Sequence, residues 1–159
     1  HRLDLDTSGV IIFARTASSQ VFLSKQFENR NPKKTYLARV KGHISNDKGK
    51  IDLPIIVDWP NRPRQKVCFE TGKKSITYYK VIDREKNDIS RVELRPITGR
   101  SHQLRLHMKS IGHPILGDPL YADEEAFKSS KRLELHSFKL EIPHPKTNEI
   151  QLFSASVPF

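Results

Sequence analysis

The sequence predicts an α+β fold in which a mostly antiparallel mixed sheet is flanked by a few helices. Segments with strand-like patterns outnumber helical ones, and short connections join neighbouring strands. Short connections favour antiparallel pairing, because parallel strands need a long crossover. At 159 residues, the chain fits one domain or a compact pair of lobes.

The first half of the chain contains two predicted strands and one predicted helix. Residues 10–14 form a continuous apolar run, which indicates a buried strand. Residues 17–29 are typical of a helix, with Thr16 as the N-cap and Asn31-Pro32 as the stop signal. Residues 35–40 alternate between apolar and polar side chains, which predicts a second strand.

The second half of the chain contains four more predicted strands, over residues 75–82, 90–94, 133–142 and 149–153. The last two are expected to close as a hairpin. Residues 100–111 have helical character and are followed by the helix-ending Gly112.

Composition points to an anionic partner. Lys and Arg number 28 against 18 Asp and Glu, which gives a formal net charge of +10. A balance this basic favours nucleic acid as the partner. No apolar run approaches the length needed to span a bilayer, so we expect no membrane association. Cys68 is the single cysteine. A single cysteine fits a cytoplasmic setting and excludes a Cys-rich zinc site. The thiol of Cys68 is predicted to be buried.

Residues 53–71 are predicted to form a long loop. The stretch 53–66 holds three prolines, the only Trp (Trp59) and the cations Arg62, Arg64 and Lys66. Basic side chains beside an exposed aromatic ring suit RNA, whose bases stack on rings and guanidinium planes. The alternative is that Trp59 packs on the protein body and the cations are simply solvated.

Several chemistries leave weak signals. His102 and His107 are five residues apart, which places them off a common helical face, so we expect no bound metal. Ser8 lacks the glycines of a nucleophile elbow. Asp4 and Asp6 precede a Thr-Ser-Gly turn, and the residues alone leave open whether they are functional acids or turn caps.

The segment 95–107 is the densest in functional residue types. On a helix, His102, Arg105 and Lys109 would share one face, while Leu104 and Met108 would face the core. Such a cationic face predicts a phosphate platform, although ordinary surface helices look the same. The preceding residues 98–100 would place backbone N–H groups at the helix start, which favours anions.

Taken together, these segments resemble the RluA family of pseudouridine synthases. The resemblance rests on HRLDLDTSG at 1–9, KTYLA at 34–38, TGRSHQLRLH at 98–107, GHPILGD at 112–118 and LELH at 133–136. The residues DWPNRP at 58–63 and QKVC at 65–68 most resemble the dual-specificity type. That type modifies both 23S ribosomal RNA and the anticodon stem-loop of tRNA.

The resemblance implies isomerisation of uridine to pseudouridine in RNA, without a cofactor or a metal, after the target base is flipped into a pocket. It assigns Asp4 as the catalytic carboxylate, Arg105 as its ionic partner and Tyr36 as the ring that stacks on the flipped uracil. Further residues are expected to contact the RNA or line the pocket: Arg2, Arg62, Arg64, Arg100, His102 and Leu135. For Arg100 and His102, support of the loop is the alternative.

The resemblance also implies how the chain is organised and where it acts. Residues 1–159 would be the pseudouridine synthase catalytic domain, without an N-terminal segment expected upstream of His1. We expect a cytoplasmic monomer whose partner is RNA. Two rival interpretations remain: a non-catalytic RNA-binding or ribosome-associated module, and a metal-dependent nuclease that uses Asp4 and Asp6.

Overall fold

A computed structural model describes all 159 residues and contains two sheets and three helices. The strands are β1 Ser8–Gly9, β2 Lys33–Lys41, β3 Lys48–Asp52, β4 Ile55–Val57, β5 Gln65–Val67, β6 Ile76–Glu85, β7 Ile89–Pro96, β8 Leu135–Pro143 and β9 Ile150–Ser154. The helices are α1 Ala17–Glu28, α2 Gln103–Ser110 and α3 Glu124–Lys128, and a short 3₁₀ helix covers Trp59–Asn61.

The main sheet has seven strands in the order β1-β8-β2-β7-β6-β3, with β9 also paired to β8. Only the β1–β8 pair is parallel; the other strand pairs are antiparallel. The smaller sheet is the hairpin of β4 and β5. The α+β class with a mostly antiparallel mixed sheet is therefore confirmed.

Most predicted elements are present close to their expected positions. Helix α1 begins after Thr16, whose hydroxyl accepts a hydrogen bond from the Ser19 backbone N–H at 3.2 Å. Such a cap satisfies one of the N–H groups that a helix leaves free at its start. The strands β2, β6 and β7 and the closing β8–β9 hairpin also match their predictions.

The predicted strand over residues 10–14 is wrong. Only Ser8 and Gly9 pair with β8, opposite His136 and Ser137. From Lys139 onward the same edge of β8 pairs with β9, so the residues after Gly9 find that position occupied. Phe13 is 78 % exposed as a result. An apolar run indicates burial, but it does not show which of two segments pairs with a given strand edge.

Residues 53–71 are not the predicted loop. Ile55 pairs with Val67 and Val57 with Gln65, which forms the β4–β5 hairpin around the 3₁₀ helix. The sequence patterns also predict neither β3 nor α3, which are both present. The expected burial of Cys68 is wrong as well: its thiol is partly exposed and lies 3.3 Å from the Thr71 hydroxyl.

Helix α2 packs on both of its sides. Leu104 and Met108 belong to the main hydrophobic cluster on the sheet, whereas Leu106 joins Ile55 and Tyr121 in a second, smaller cluster. Every residue from 103 to 108 is buried. The predicted solvent-facing cationic face is therefore wrong for Arg105, because the β4–β5 hairpin and the loop before α3 cover that side. The longest helix, α1, has 12 residues, which is too short to span a bilayer.

Candidate active site

A cavity of about 490 Å³ opens where the N-terminal segment meets the start of β2 and the loop before α2. Its wall includes side chains of both charges and few apolar groups. The lining residues that enter the argument are Arg2, Asp4, Thr7, Glu28, Arg30, Lys34, Tyr36, Gly99, Arg100, His102, Arg105 and Leu135.

Asp4 stands at the start of a tight turn. The Thr7 backbone N–H donates to the Asp4 carbonyl at 3.0 Å, and the following strand β1 ties this turn to β8. Gly9 lies at φ +109°, and a Cβ at that position would collide with the Ser137 carbonyl oxygen. Only glycine therefore lets the chain approach β8 this closely.

Hydrogen bonds of Ser8 reinforce the placement of this turn. The Arg132 guanidinium donates to the Ser8 hydroxyl at 2.6 Å, and His136 Nδ1 lies 2.8 Å from the same oxygen. His136 also reaches the Ala155 carbonyl through Nε2 at 3.1 Å. The turn that presents Asp4 is thus fixed to the sheet through side chains as well as through backbone.

Arg105 carries two carboxylate partners with unequal geometry. Its Nε and Nη2 donate to Asp118 at 2.8 and 2.7 Å, whereas Nη1 lies 3.5 Å from Asp4 Oδ2. The Arg105 and Asp118 side chains are 3 % and 0 % exposed, and Asp4 is 18 % exposed. The bidentate pair with Asp118 fixes the guanidinium plane, so that Nη1 is turned toward Asp4.

Asp118 is itself held by the backbone. Its Oδ1 accepts the N–H groups of Leu120 and Tyr121 at 2.8 and 3.1 Å. The carboxylate therefore closes a turn and anchors Arg105 at once. Burial lowers the pKa of Arg105 while the bonds and charges of Asp118 and Asp4 raise it, and the net direction is upward. The guanidinium therefore stays charged.

Tyr36 and Leu135 belong to the apolar part of the wall, which Leu3, Phe27, Ile97 and Leu104 also line. Tyr36 lies on β2 directly opposite Ser137 of β8, next to a register shift at Thr35. Burial raises the pKa of the Tyr36 phenol; a hydrogen bond from Ser137 opposes the shift and the Asp4 charge adds to it. The phenol therefore keeps its proton at neutral pH. Leu135, on the adjacent strand, is almost completely buried.

The loop before α2 is held by one buried amide, that of Gln103. Its Oε1 accepts from the Thr98 hydroxyl at 2.7 Å and from the Arg100 backbone N–H at 3.0 Å. Its Nε2 donates to the Ile76 carbonyl and the Thr77 hydroxyl, both at 3.0 Å. All four bonding positions of the amide are used, which fixes the shape of this loop.

His102 is held in a left-handed conformation at the end of that loop. Its φ is +53°, which is rare for a residue other than glycine and concentrates at functional sites. Its Nδ1 lies 2.8 Å from the Tyr121 hydroxyl, which also accepts the Gln65 backbone N–H at 2.7 Å. Burial raises the pKa of Tyr121 to about 12, so the phenol keeps its proton. Since its oxygen already accepts from Gln65, we assign the phenol as the donor to Nδ1.

Burial sets the charge of His102, and the contact with Tyr121 sets its tautomer. Burial lowers its pKa, and the nearby charges of Arg105 and Arg2 act in the same direction, against those of Asp4 and Asp118. The ring is therefore neutral at pH 7, with its proton on Nε2. Because Gln65 belongs to β5, the same Tyr121 hydroxyl connects the β4–β5 hairpin with the cavity.

The sequence-predicted site residues fall into two groups. Asp4, Tyr36 and Arg105 line one cavity together with Arg2, Arg100, His102 and Leu135. Arg62 and Arg64 do not line it; they belong to the β4–β5 hairpin, where the Arg62 guanidinium lies 4.7 Å from the centre of the Trp59 ring. Trp59 is 64 % exposed, which favours the exposed-aromatic alternative.

Four residues that shape this site are not among the predicted site residues: Lys34, Gln103, Asp118 and Tyr121. Lys34, Gln103 and Asp118 lie inside the quoted motifs, but their importance depends on contacts that no local pattern encodes. No group of three or more His, Cys, Asp or Glu side chains is placed to hold a metal ion. The cavity instead offers a carboxylate beside a fixed guanidinium, which suits nucleophilic or base chemistry on a polar substrate.

Comparisons with known proteins agree on one family. The family model described as RNA pseudouridylate synthase matches residues 1–110. The dual-specificity RNA pseudouridine synthase RluA of Yersinia pestis is 55 % identical over 159 residues, which cover all of this chain and 77 % of that protein. The protein of the same name from Escherichia coli K12 is 53 % identical, with 73 % of its length covered.

A solved structure gives the same result. Human RNA pseudouridylate synthase domain containing 1 superposes with a TM-score of 0.90 at 31 % identity, over the whole of this chain and 68 % of that one. A fold match of this quality at moderate sequence identity extends the similarity from sequence motifs to the architecture that holds the cavity.

Proposed function

The chain belongs to the RNA pseudouridylate synthase family, and we propose that it isomerises uridine in RNA with Asp4 as the catalytic carboxylate. This proposal depends on one observation: Arg105 Nη1 lies 3.5 Å from Asp4 Oδ2, in a cavity that Tyr36 also lines. Three residues separated by up to 101 positions in sequence meet there. The family relationship makes the protein an isomerase; the contact supports the proposal that Asp4 and Arg105 take part in the reaction.

The reaction needs a group that acts at the sugar. The N1–C1′ bond of uridine breaks, the uracil turns, and C5 bonds to C1′, while the C5 proton is lost and N1 gains one. An ionised Asp4 would attack C1′ or remove a proton to give a glycal intermediate. The Arg105 charge offsets the electrostatic cost of a negative charge in the cavity, and Asp118 keeps that guanidinium in place.

The remaining residues of the cavity would bind the flipped nucleotide. Tyr36 would stack on the uracil, and its hydroxyl would help remove the C5 proton by accepting it while it passes its own proton on. Leu135 would complete the apolar wall, while Arg100 and His102 would contact the RNA. Arg2, which is exposed at the rim, would occupy the gap that the flipped base leaves in the stack. Flipping costs a few kcal/mol, which favours loops over duplexes.

We propose that the substrates are 23S ribosomal RNA and the anticodon stem-loop of tRNA. The support is the naming of the relatives from Yersinia pestis and Escherichia coli as dual-specificity enzymes, at 55 % and 53 % identity over the whole chain. Action on RNA also fits the formal net charge of +10. A cytoplasmic monomer is the form in which we expect the protein to act.

The decisive experiment measures tritium release from RNA labelled at C5 of uridine. We expect Asp4→Asn to abolish release while RNA binding persists. The matched control is Asp6→Asn, which removes a carboxylate from the same turn; Asp6 is exposed and makes no ion pair. Turnover by Asp4→Asn would refute the catalytic assignment, and binding without turnover by the wild type would favour a non-catalytic RNA-binding module.

The choice of substrate needs a separate comparison. A tRNA anticodon stem-loop and a hairpin of 23S ribosomal RNA are each incubated with the wild type under identical conditions. We expect turnover on both. Turnover on only one of them would reject the dual specificity and leave the isomerase assignment intact.

The β4–β5 hairpin would extend the RNA surface beyond the cavity. Arg62 and Arg64 are exposed, and neither pairs with a carboxylate. We expect Arg62→Gln with Arg64→Gln to weaken RNA binding and to reduce the slope of log affinity against log salt by about 1–2, since each lost phosphate contact lowers it by about 1. An unchanged slope would show that Arg62 and Arg64 do not contact RNA phosphates.

A further inference from the structure

The cavity holds a group of cations that have no anionic partner. Five cationic side chains line it, and the only lining carboxylates are Asp4 and Glu28. Arg105 pairs with Asp118 and Asp4, but no carboxylate lies within 4.0 Å of Arg2, Arg30, Lys34 or Arg100. We call Arg30, Lys34 and Arg100 the cation cluster.

Several cations of the sheet, by contrast, have carboxylate partners. Partly buried arginines and lysines of the sheet pair with carboxylates at 2.5–3.3 Å: Arg39 with Glu85 and Glu134, Lys41 with Asp123 and Glu125, Arg84 with Asp47, and Arg91 with Glu85. Lys34 and Arg100 are also partly buried but have no such partner, whereas Arg30 is exposed. Because like charges repel, an anion bound among them would lower the electrostatic cost of holding these cations together.

Lys34 is the centre of the cluster. Its Nζ lies near Gly99, since a Cβ built on that glycine would be 3.5 Å away. The side chain therefore reaches from β2 to the loop before α2, where Arg100 follows. Burial lowers the pKa of Lys34, and the charge of Arg30 lowers it further. A lysine whose charged form is disfavoured both by burial and by a neighbouring cation, and which has no carboxylate partner, is typical of a ligand site.

A second observation points to a missing ligand at the same place. Two buried polar side-chain atoms have no hydrogen-bond partner, Arg100 Nε and Thr7 Oγ1, and both residues line this cavity. Buried polar atoms are bonded in nearly all native structures, so each exception calls for an explanation. A bound anion would supply an acceptor to Arg100.

We propose that the cation cluster binds an RNA backbone phosphate next to the flipped uridine. This inference rests on the proposed function, because the nucleotide that enters the cavity carries its phosphates with it. A phosphate oxygen accepts strong charge-assisted bonds from both ammonium and guanidinium groups. Lys34 is thus a substrate-positioning residue that holds the sugar beside Asp4.

The chain contains a matched control on the adjacent residue. Lys33 is 79 % exposed and lies 3.4 Å from Glu141, outside the cavity. Lys34→Met and Lys33→Met remove the same charge from neighbouring positions of β2. Lys34→Arg keeps the charge at the cluster, and thermal melting of each variant checks that it folds.

The test measures binding of an RNA stem-loop that the wild type modifies, in the Asp4→Asn background to prevent turnover. We expect Lys34→Met to weaken binding about tenfold and to lower the salt slope by about 1. Lys33→Met should leave both close to the parent values, and Lys34→Arg should restore most of the affinity. Equal effects of the Lys33 and Lys34 changes would overturn the proposal.

A modified RNA identifies the group that is bound. The phosphates on either side of the target uridine are replaced in turn by an uncharged methylphosphonate, with the adjacent 2′-hydroxyl methylated. At one of these positions the effect of Lys34→Met should disappear, because the charge it contacts is gone. A full tenfold loss with both modified RNAs would exclude a flanking phosphate.

Two further results keep the inference separate from the proposed function. If Lys34→Met does not fold, Arg100→Gln should show the same reduced slope and the same sensitivity to the methylphosphonate; a normal slope would refute the cluster. Failure of the wild type to form pseudouridine on any RNA would refute the proposed function. Wild-type turnover with normal binding by Lys34→Met would refute the cluster alone.

Discussion

Replacing Asp118 by Asn tests whether the buried Arg105–Asp118 pair supports the site. The two side chains are 3 % and 0 % exposed, so neither charge is screened by solvent. Asn has the same shape and can keep accepting the Leu120 and Tyr121 N–H groups through its oxygen. Its NH₂ group then faces Arg105 Nε, which places two donors against each other.

Loss of this carboxylate leaves Arg105 with Asp4 alone, at 3.5 Å. Breaking a buried pair from one side costs about 3–5 kcal/mol, because the remaining charge stays buried without compensation. Asn keeps part of the hydrogen bonding, so we expect about 3 kcal/mol. For a chain of this size that corresponds to a fall in Tm of about 6–12 °C.

Thermal unfolding followed by circular dichroism measures this loss, with Asp52→Asn as the control. Asp52 is exposed and pairs with Lys50 at 2.7 Å, so removal of its charge should leave Tm nearly unchanged. A double variant, Arg105→Met with Asp118→Asn, should be more stable than Asp118→Asn because the buried guanidinium is gone, and the carboxylate left without its partner, Asp4, is 18 % exposed and reaches solvent. A Tm of Asp118→Asn within about 2 °C of the wild type would refute the reasoning, as would a less stable double variant.

Asp118→Asn should also lower kcat by about 10–100-fold with little change in RNA affinity, since a guanidinium shifted by an ångström no longer supports Asp4; single-turnover kinetics checks this. Tyr121→Phe leaves the Gln65 N–H without its acceptor, and we expect a loss of about 1–2 kcal/mol in chemical denaturation. Burial lowers the pKa of His107, so this ring is protonated more readily in the unfolded chain than in the folded one. The free energy of unfolding should therefore fall as pH decreases below about 6.5. Urea titrations of His107→Gln should show a weaker dependence on pH. Gly9→Ala should unfold at a lower temperature and lose activity because its Cβ meets the backbone of β8; wild-type behaviour would show that the turn tolerates another path.

The elements whose patterns are local were predictable. Helix α1 follows from its Thr16 cap and its stop signal, and the β8–β9 hairpin follows from two alternating runs around a proline-rich turn. The motifs that place Asp4, Tyr36 and Arg105 in one family also lie in the sequence, since they depend on residue order alone. These features need no knowledge of what packs against them.

Other features depend on competition between distant segments. Residues 10–14 carry the pattern of a buried strand, yet β9 occupies the edge of β8 that they would use. Helix α2 carries the pattern of an amphipathic surface helix, yet the β4–β5 hairpin packs on Leu106, and Asp118 and Tyr121 of the loop before α3 contact the buried Arg105. A periodicity reports which face prefers burial, but it contains no information about a second layer.

The sequence by itself determined the α+β class, the family, and the three residues proposed for catalysis. Only the tertiary structure decided that Asp118 fixes Arg105, that Tyr121 links His102 to the β4–β5 hairpin, and that Lys34 lies unpaired beside Arg100 in the cavity. The physical reason is that a charge acquires its role from its neighbours in space. Asp118 and Lys34 are 84 positions apart in a strongly basic chain, and folding gives the first a partner and leaves the second without one.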